Sequence, residues 1–251
     1  MMAQQTRTEV IANNLANVNT TGFKRSRAHF EDLLYQTVQD TTVIAAPDAL
    51  TMPAMQVGRG TRLSSVQRIH EQGPIEVTGR PLDLAIEGEG FFAVQMPNGT
   101  LAYTRDGNFS ISDQGTLVTS GGYTVSPGIQ IPDDASNVSI SRTGIVSVQR
   151  GSATEPVEVG RLELARFINP TGLLALGENL YAATPAAGSC STGYPQDDGF
   201  GQLQQGSLEG SNVEIVQEMV DMISSMRAYE LNSKVIKSCD EMGQVISQMV
   251  R

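Results

Sequence analysis

The chain has 251 residues, 39% hydrophobic content, 5% aromatics and no tryptophan, a composition that speaks against a large aromatic-lined pocket and leans towards scaffold over catalyst. Its 27 acids outnumber 17 Lys and Arg for a net charge of −10, which excludes general nucleic-acid binding, since that needs basic surface to neutralise phosphates. The length suits one large core or two compact parts without choosing between them.

The opening stretch MMAQQTRTEV lacks an apolar signal core, and nowhere do eighteen apolar residues follow one another. Neither ordinary secretion nor membrane insertion is expected. From Val10 to Val18, the residues Val10, Ile11, Leu15 and Val18 share one arc of a helical wheel, with Asn14 inside it and Asn13 and Asn17 on its border. The helix is expected to end near Asn19, where Thr20, Thr21 and Gly22 supply a stop. An amide inside an apolar seam costs stability but penalises wrong registers, because it must find a partner. Asn14 is therefore expected at an interface with Asn13 and Asn17 facing neighbouring chains, although Asn17 and Asn19 also suit a helix terminus.

SRAHFEDLLYQTVQ (26–39) sets Phe30, Leu33 and Leu34 at helical spacing and predicts a second short helix. Residues 40–60 carry Pro47, Pro53, Gly58 and Gly60 with little periodicity, which predicts a long irregular or extended excursion. Loops of that length are uncommon unless they bind something. From 61 to 185, short apolar runs such as GFFAVQ and LAYTRDGNFSIS are separated by PNG, RDGN, SDQG and RTG. Asn-Gly and Asp-Gly between alternating runs signal hairpins, so a compact antiparallel β domain is expected.

Residues 186–210 are rich in Gly, Ser and Gln and predict a return segment; Ser211 and Glu214 then have the spacing of a capping box. From Val213 to Met249 no proline intervenes, so a helix of roughly 55 Å is expected. Its first half carries a wide apolar arc that includes Val216, Val220 and Ile223, more than one partner helix covers. Its second half narrows to Leu231, Val235, Cys239, Met242, Val245, Ile246 and Met249, close to a single coiled-coil seam. Five of the ten methionines lie here, which suits a surface that meets slightly inequivalent neighbours. Arg227, Glu230 and Lys234 have the spacing of an exposed ion-pair ladder, and Arg227 points into the seam. Residues 1–30 are net +3 and residues 211–251 net −2, a weak, salt-screened attraction between the two ends.

Chemistry-bearing patterns are missing. There is no nucleophile elbow, zinc-protease motif, phosphate-binding loop or dinucleotide fingerprint, and the two histidines, His29 and His70, sit in unrelated contexts. Cys190 and Cys239 have no metal-like spacing; Cys239 is expected as a small buried hydrophobe. No catalytic, cofactor-binding or metal site is expected, and a hydrolase or glycan-binding role for the β domain would need a convergent carboxylate pair in a deep pocket.

The expectation is an α+β chain in which N- and C-terminal α-helices pair as a coiled-coil-like stalk with a mainly antiparallel β domain inserted between them. It divides into an N-terminal helix (1–25), a connector (26–70), a β-rich domain (71–185), a return connector (186–210) and a C-terminal helix (211–251). Burying one Leu- or Met-sized side chain contributes about 1.5–3 kcal/mol, so seven exposed seam residues would forgo on the order of ten. Coverage by further copies in an open helical polymer resolves this. The expected self-assembly surface comprises Ile11, Asn13, Asn14, Leu15, Asn17 and Val18 at one end, and Val216, Val220, Ile223, Arg227, Leu231, Val235, Met242, Ile246 and Met249 at the other.

NNLANVNTTGFKRSRAHFEDLLYQT (13–37), GEGFFAVQMPNGTLAYTRDGNFSISDQGTLVTSGGY (88–123), GENLY (177–181) and GSLEGSNVEIVQEMVDMISSMRAYELNSK (206–234) resemble the bacterial flagellar axial proteins, over nearly the whole chain. The resemblance implies a homo-oligomeric tube, the distal rod of the flagellar basal body, which spans the periplasm, transmits motor torque to the hook and forms part of the export channel. It implies terminal helices on the inner wall, proximal rod proteins, hook subunits and the P- and L-ring proteins as partners, and export by the flagellar type III system without a cleavable signal. The alternative within the family is a proximal rod or hook subunit, and 40–60 would be the rod-specific segment that discriminates them. Family members usually begin earlier, with a short apolar stretch ahead of the counterpart of MMAQQT, which implies either an upstream start or a shortened inner helix.

Overall fold

The computed structural model describes residues 1–39, 55–132, 134–150 and 156–249. Most of the expected excursion, 40–54, lies outside the described residues. The chain runs as helix α1 (Met2–Ala16), a series of short strands from Ser26 to Glu209, and helix α2 (Ile215–Met249). It is α+β, with a mainly antiparallel β region between two terminal helices. Two compact units divide it: Met1–Asn13, Ser26–Gln67 and Val216–Arg251 form the first, and Asn14–Arg25 with Arg68–Ile215 the second.

The second unit is organised around the strand Phe91–Gln95, whose five residues are FFAVQ. One side of it pairs with Leu101–Thr104, and the other is shared by Thr124–Val125 and Leu164–Phe167. These belong to a nine-stranded sheet among the described residues. Because side chains alternate across a strand, Phe92 and Val94 point into one cluster while Phe91 and Ala93 point into the other. A continuous apolar run is what a strand covered on both faces requires. The larger cluster includes Leu84, Ile86, Phe109, Val148 and Leu164, with the Phe92 and Phe109 rings edge to face at 5.0 Å. The smaller gathers Tyr103, Phe167, Tyr181 and Ala187.

The hairpin signals hold at three of the four turns. PNG closes through Met96 N to Thr100 O, SDQG through Ser112 N to Thr116 O, and RTG through Ser141 N to Ile145 O. RDGN departs from the expectation. The strands Leu101–Thr104 and Phe109–Ile111 that flank it are not neighbours in the sheet, so Asp106-Gly107 is a crossing point and not a turn. A Cβ on Gly107 would fall 1.6 Å from the Leu84 carbonyl oxygen, and the Leu84 amide donates to Gly107 O at 3.0 Å. Glycine is needed there for backbone contact. Residues 186–210 also contribute three strands, Cys190–Gly193, Gln202–Gln205 and Ser207–Glu209, which complete sheets begun much earlier.

In the first unit the second short helix is replaced by strands. Ser26–Asp32 pairs with Thr61–Arg68, and Tyr35–Gln39 pairs with Met55–Gly58. Three apolar residues at helical spacing were the whole case for a helix, and Leu34 among them is 88% exposed. The β-prone Tyr35, Thr37 and Val38 and a ladder to distant residues outweigh it. The helix ends differ as well. α1 stops at Ala16, three residues before Asn19. α2 begins at Ile215, and Ser211 Oγ accepts from the Val213 amide at 3.3 Å, a local turn in place of a capping box.

Candidate functional site

Helix α2 presents a surface opposite in character to that of an ordinary folded chain. Among the described residues of α2 only Glu218 and Ser225 are buried, while Val216, Val220, Ile223, Leu231, Val235, Met242, Ile246 and Met249 are 50–82% exposed. Arg227 is exposed too. Cys239 lies on this exposed helix, correcting the expectation of a buried thiol. The candidates in and just after α1 divide: Ile11 and Asn14 are buried, Leu15, Asn17 and Val18 are half-buried, and Asn13 is exposed. Asn17 serves the helix end, its backbone and side-chain oxygens lying 3.2 Å from Thr20 N and Thr20 Oγ1.

Where α1 meets α2 the contacts described are polar. Arg7 Nη2 donates to Asp221 Oδ1 at 3.3 Å, the hydroxyls of Thr8 and Ser225 are 2.9 Å apart, and Ser225 Oγ is 3.3 Å from the Gln4 carbonyl. Gln4, Thr8 and Ile11 fall at helical spacing on α1, as do Glu218, Asp221 and Ser225 on α2. The face of α2 turned towards α1 is thus its small and polar one. Its apolar residues are left on the outside, an arrangement that apolar periodicity did not show.

A second cluster went unnoticed in the sequence. Within the second unit, the segment after α1 is held by the segment before α2. Lys24 Nζ donates to Glu209 Oε1 at 2.5 Å and to the Glu71 carbonyl at 2.6 Å. Arg105 Nη1 donates to Glu209 Oε2 at 3.2 Å, and the Gly73 amide to Oε1 at 3.0 Å. The side chains of Lys24 and Glu209 are wholly buried and that of Arg105 nearly so. Burial pulls both cations' pKa values down, and the Glu209 carboxylate opposes it. Arg105 also donates to Gly88 O at 2.8 Å and lies 5.3 Å from the Phe91 ring centroid.

Around this cluster, Gly22 takes positive φ (66°) and a Cβ there would sit 2.7 Å from the Asp106 amide. The expected helix-stopping glycine therefore acts six residues beyond the helix, at a close backbone approach. Thr21 Oγ1 donates to Asp106 Oδ1 at 2.9 Å, and Asn179 Nδ2 to the Thr21 carbonyl at 3.0 Å. Burial raises the Asp106 pKa, with the hydrogen bonds from Asn108 and Thr21 pulling the other way. His70 packs edge-on against Phe91 and Tyr181 at 5.7 and 5.4 Å. Burial lowers its pKa to about 4, helped by the charges of Lys24, Arg105 and Arg68.

Elsewhere in the second unit an open cleft of about 760 Å³ is lined by Gln72, Glu87, Glu89, Arg166, Phe200 and Gln202 among others. Its polar groups bond to one another: Arg166 to Glu89 at 2.9 Å and Gln202 to Glu87 at 2.5 Å. Among the described residues no three His, Cys, Asp or Glu side chains are grouped to hold a metal ion. Among the same described residues no helix is long and apolar enough to cross a membrane.

Three family models match the chain: flagella basal body rod protein at residues 1–24, flagellar hook protein FlgE/F/G D1 domain at 85–148, and flagellar basal body rod FlgEFG protein C-terminal at 204–249. The flagellar basal-body rod protein FlgG of Caulobacter vibrioides is 48% identical over 250 residues, 99% of this chain and 95% of that protein. Its namesake in Bacillus subtilis is 39% identical, with 98% and 94% covered. The flagellar hook-basal body complex protein FlhP of the same organism is 32% identical, again with 98% and 94% covered.

Proposed function

Because this chain belongs to the family of flagellar basal-body rod proteins, we propose that it is a structural subunit whose copies assemble into the tubular distal rod of the flagellar basal body. The observation that carries this is the 35 residues of α2, about 52 Å of helix, with an apolar surface open along nearly its whole length. Such a surface is completed by neighbouring copies, and heterologous contacts that do not close generate a helical tube. In that tube the terminal helices pair as a coiled-coil-like stalk lining the wall, and Asn13, Leu15, Asn17 and Val18, which keep accessible surface, join the α2 residues at subunit contacts; Ile11 and Asn14, buried within the chain itself, do not. Torque passes along the tube to the hook, and its bore forms part of the export channel. Proximal rod proteins, hook subunits and the surrounding P- and L-ring proteins are its neighbours, and type III export delivers it. The higher identity to the rod protein than to the hook-basal body complex protein of one organism favours the rod over other axial positions.

Electron microscopy of the purified chain tests this. Tubes of uniform diameter are expected on concentration. Monodisperse particles at every concentration, with α2 covered, would overturn it.

A further inference from the structure

The residues that follow α1 take their partners, position by position, from the residues that precede α2. The Gly22 amide donates to Glu209 O at 2.8 Å, the Asn212 amide to Phe23 O at 3.5 Å, Lys24 Nζ to Glu209 Oε1 at 2.5 Å, and the Arg25 amide to Asn212 Oδ1 at 2.7 Å. Asn212 Nδ2 continues the link to Ile69 O at 2.9 Å. The partners on the Lys24 side chain lie 185 residues along the chain in one case and 47 in the other.

Electrostatics makes this splice conditional. Lys24 and Arg105 are two buried cations that share one carboxylate, Glu209, and the charge of Arg105 disfavours that of Lys24. With Glu209 absent, docking the segment 22–25 would bury Lys24 near Arg105 without the carboxylate they share, leaving only carbonyl acceptors, Glu71 O for Lys24 and Gly88 O for Arg105. An uncompensated buried charge costs several kcal/mol. The nine-stranded sheet has no such dependence, since its central strand Phe91–Gln95 is paired on both sides by residues 101–104, 124–125 and 164–167.

We propose that Lys24, Arg105 and Glu209 form a completion clasp: the segment 22–25 docks on the β region only after Ser207–Glu209 is in place. The segment 22–25, which starts six residues after α1 ends, therefore stays undocked until the chain is almost complete. The consequence for delivery rests on the export reading above: a partly emerged chain folds its sheet while 22–25 is still undocked and so stays out of assembly. The clasp itself is a property of folding in solution, which separates its failure from that of the export reading.

Pulse-labelled hydrogen exchange during refolding of the full chain is the test. The Gly22 and Arg25 amides should gain protection in the same phase as Ser207–Glu209, after Phe91–Gln95; protection of Gly22 and Arg25 ahead of Ser207–Glu209 overturns the proposal. In native Glu209→Gln, exchange at Gly22 and Arg25 should rise by about a hundredfold or more while Phe91–Gln95 stays within a few-fold of the parent. Unchanged exchange at Gly22 and Arg25, or unfolding of the whole unit, overturns it. The combined Lys24→Met, Arg105→Met, Glu209→Leu variant removes the charges at similar volume and should return Gly22 and Arg25 to within a few-fold of parental protection. Failure to do so shows that charge is not what closes the clasp.

Discussion

The β region of the second unit and the helix α2 use their side chains in opposite ways. Around Phe91–Gln95 the apolar residues are enclosed on both faces of a sheet, and even Lys24, Arg105 and Glu209 are withdrawn from water. Along α2 the valines, the isoleucines and every methionine but the half-buried Met222 are outside, while the buried positions are Glu218 and Ser225. A single chain that spends burial so unevenly is finished in one region and unfinished in the other. The β region has what it needs for its own stability; α2 has what it needs for contact with something else.

The largest expected effect breaks that contrast at its open side. Val220→Asp with Ile223→Asp puts two charges on the uncovered stripe, and sedimentation velocity should show assembly abolished. Near-ultraviolet circular dichroism of the β region should not change. A variant that unfolds the β region instead would place those residues in its core. Next in size, Phe92→Ala empties a site within the larger cluster and should cost about 3–5 kcal/mol in urea denaturation, with no effect on the exposure of α2.

His70 gives a smaller, pH-dependent effect. Its folded pKa of about 4 lies below the ordinary value of 6.5, so its contribution is fully present above pH 6.5 and is lost as pH falls towards 4. The loss by pH 4.5 should be on the order of 2 kcal/mol, read from urea midpoints at pH 7 and 4.5. Asp106, whose pKa burial raises, works in the opposite sense, so His70→Phe against the parent isolates the histidine. The smallest effect is expected where the helices touch. Thr8→Val removes the hydroxyl facing Ser225 and should destabilise the α1–α2 contact by about 1 kcal/mol, visible as faster exchange at residues 4–11 alone.

The same contrast explains what the sequence made legible. Local signals sufficed for α2, whose apolar period continues for many turns, and for the hairpins at Asn98-Gly99 and Arg142-Thr143-Gly144. They misled where one residue type serves two purposes. Gly107 follows an aspartate as a turn glycine would, yet is required by the Leu84 backbone. Phe30, Leu33 and Leu34 match a helix over one turn, but pairing of Ser26–Asp32 with Thr61–Arg68 is decided by residues far away. The ionic cluster was illegible for the same reason: nothing near Lys24 marks it as buried, and its carboxylate is 185 residues distant. For the candidate surface, the sequence named the apolar positions of α2, and the structure leaves them uncovered; it did not reveal that Gln4, Arg7 and Thr8 would meet α2 through polar groups.

The central claim is that α2 is completed by copies of this chain, and hydrogen exchange along 216–249 as a function of protein concentration tests it most directly. At dilution, where the chain is monomeric, these amides should exchange fast; as oligomers form they should become protected together, beginning with the stripe from Val216 to Leu231. Strong protection of 216–249 in a particle that remains monomeric would contradict it.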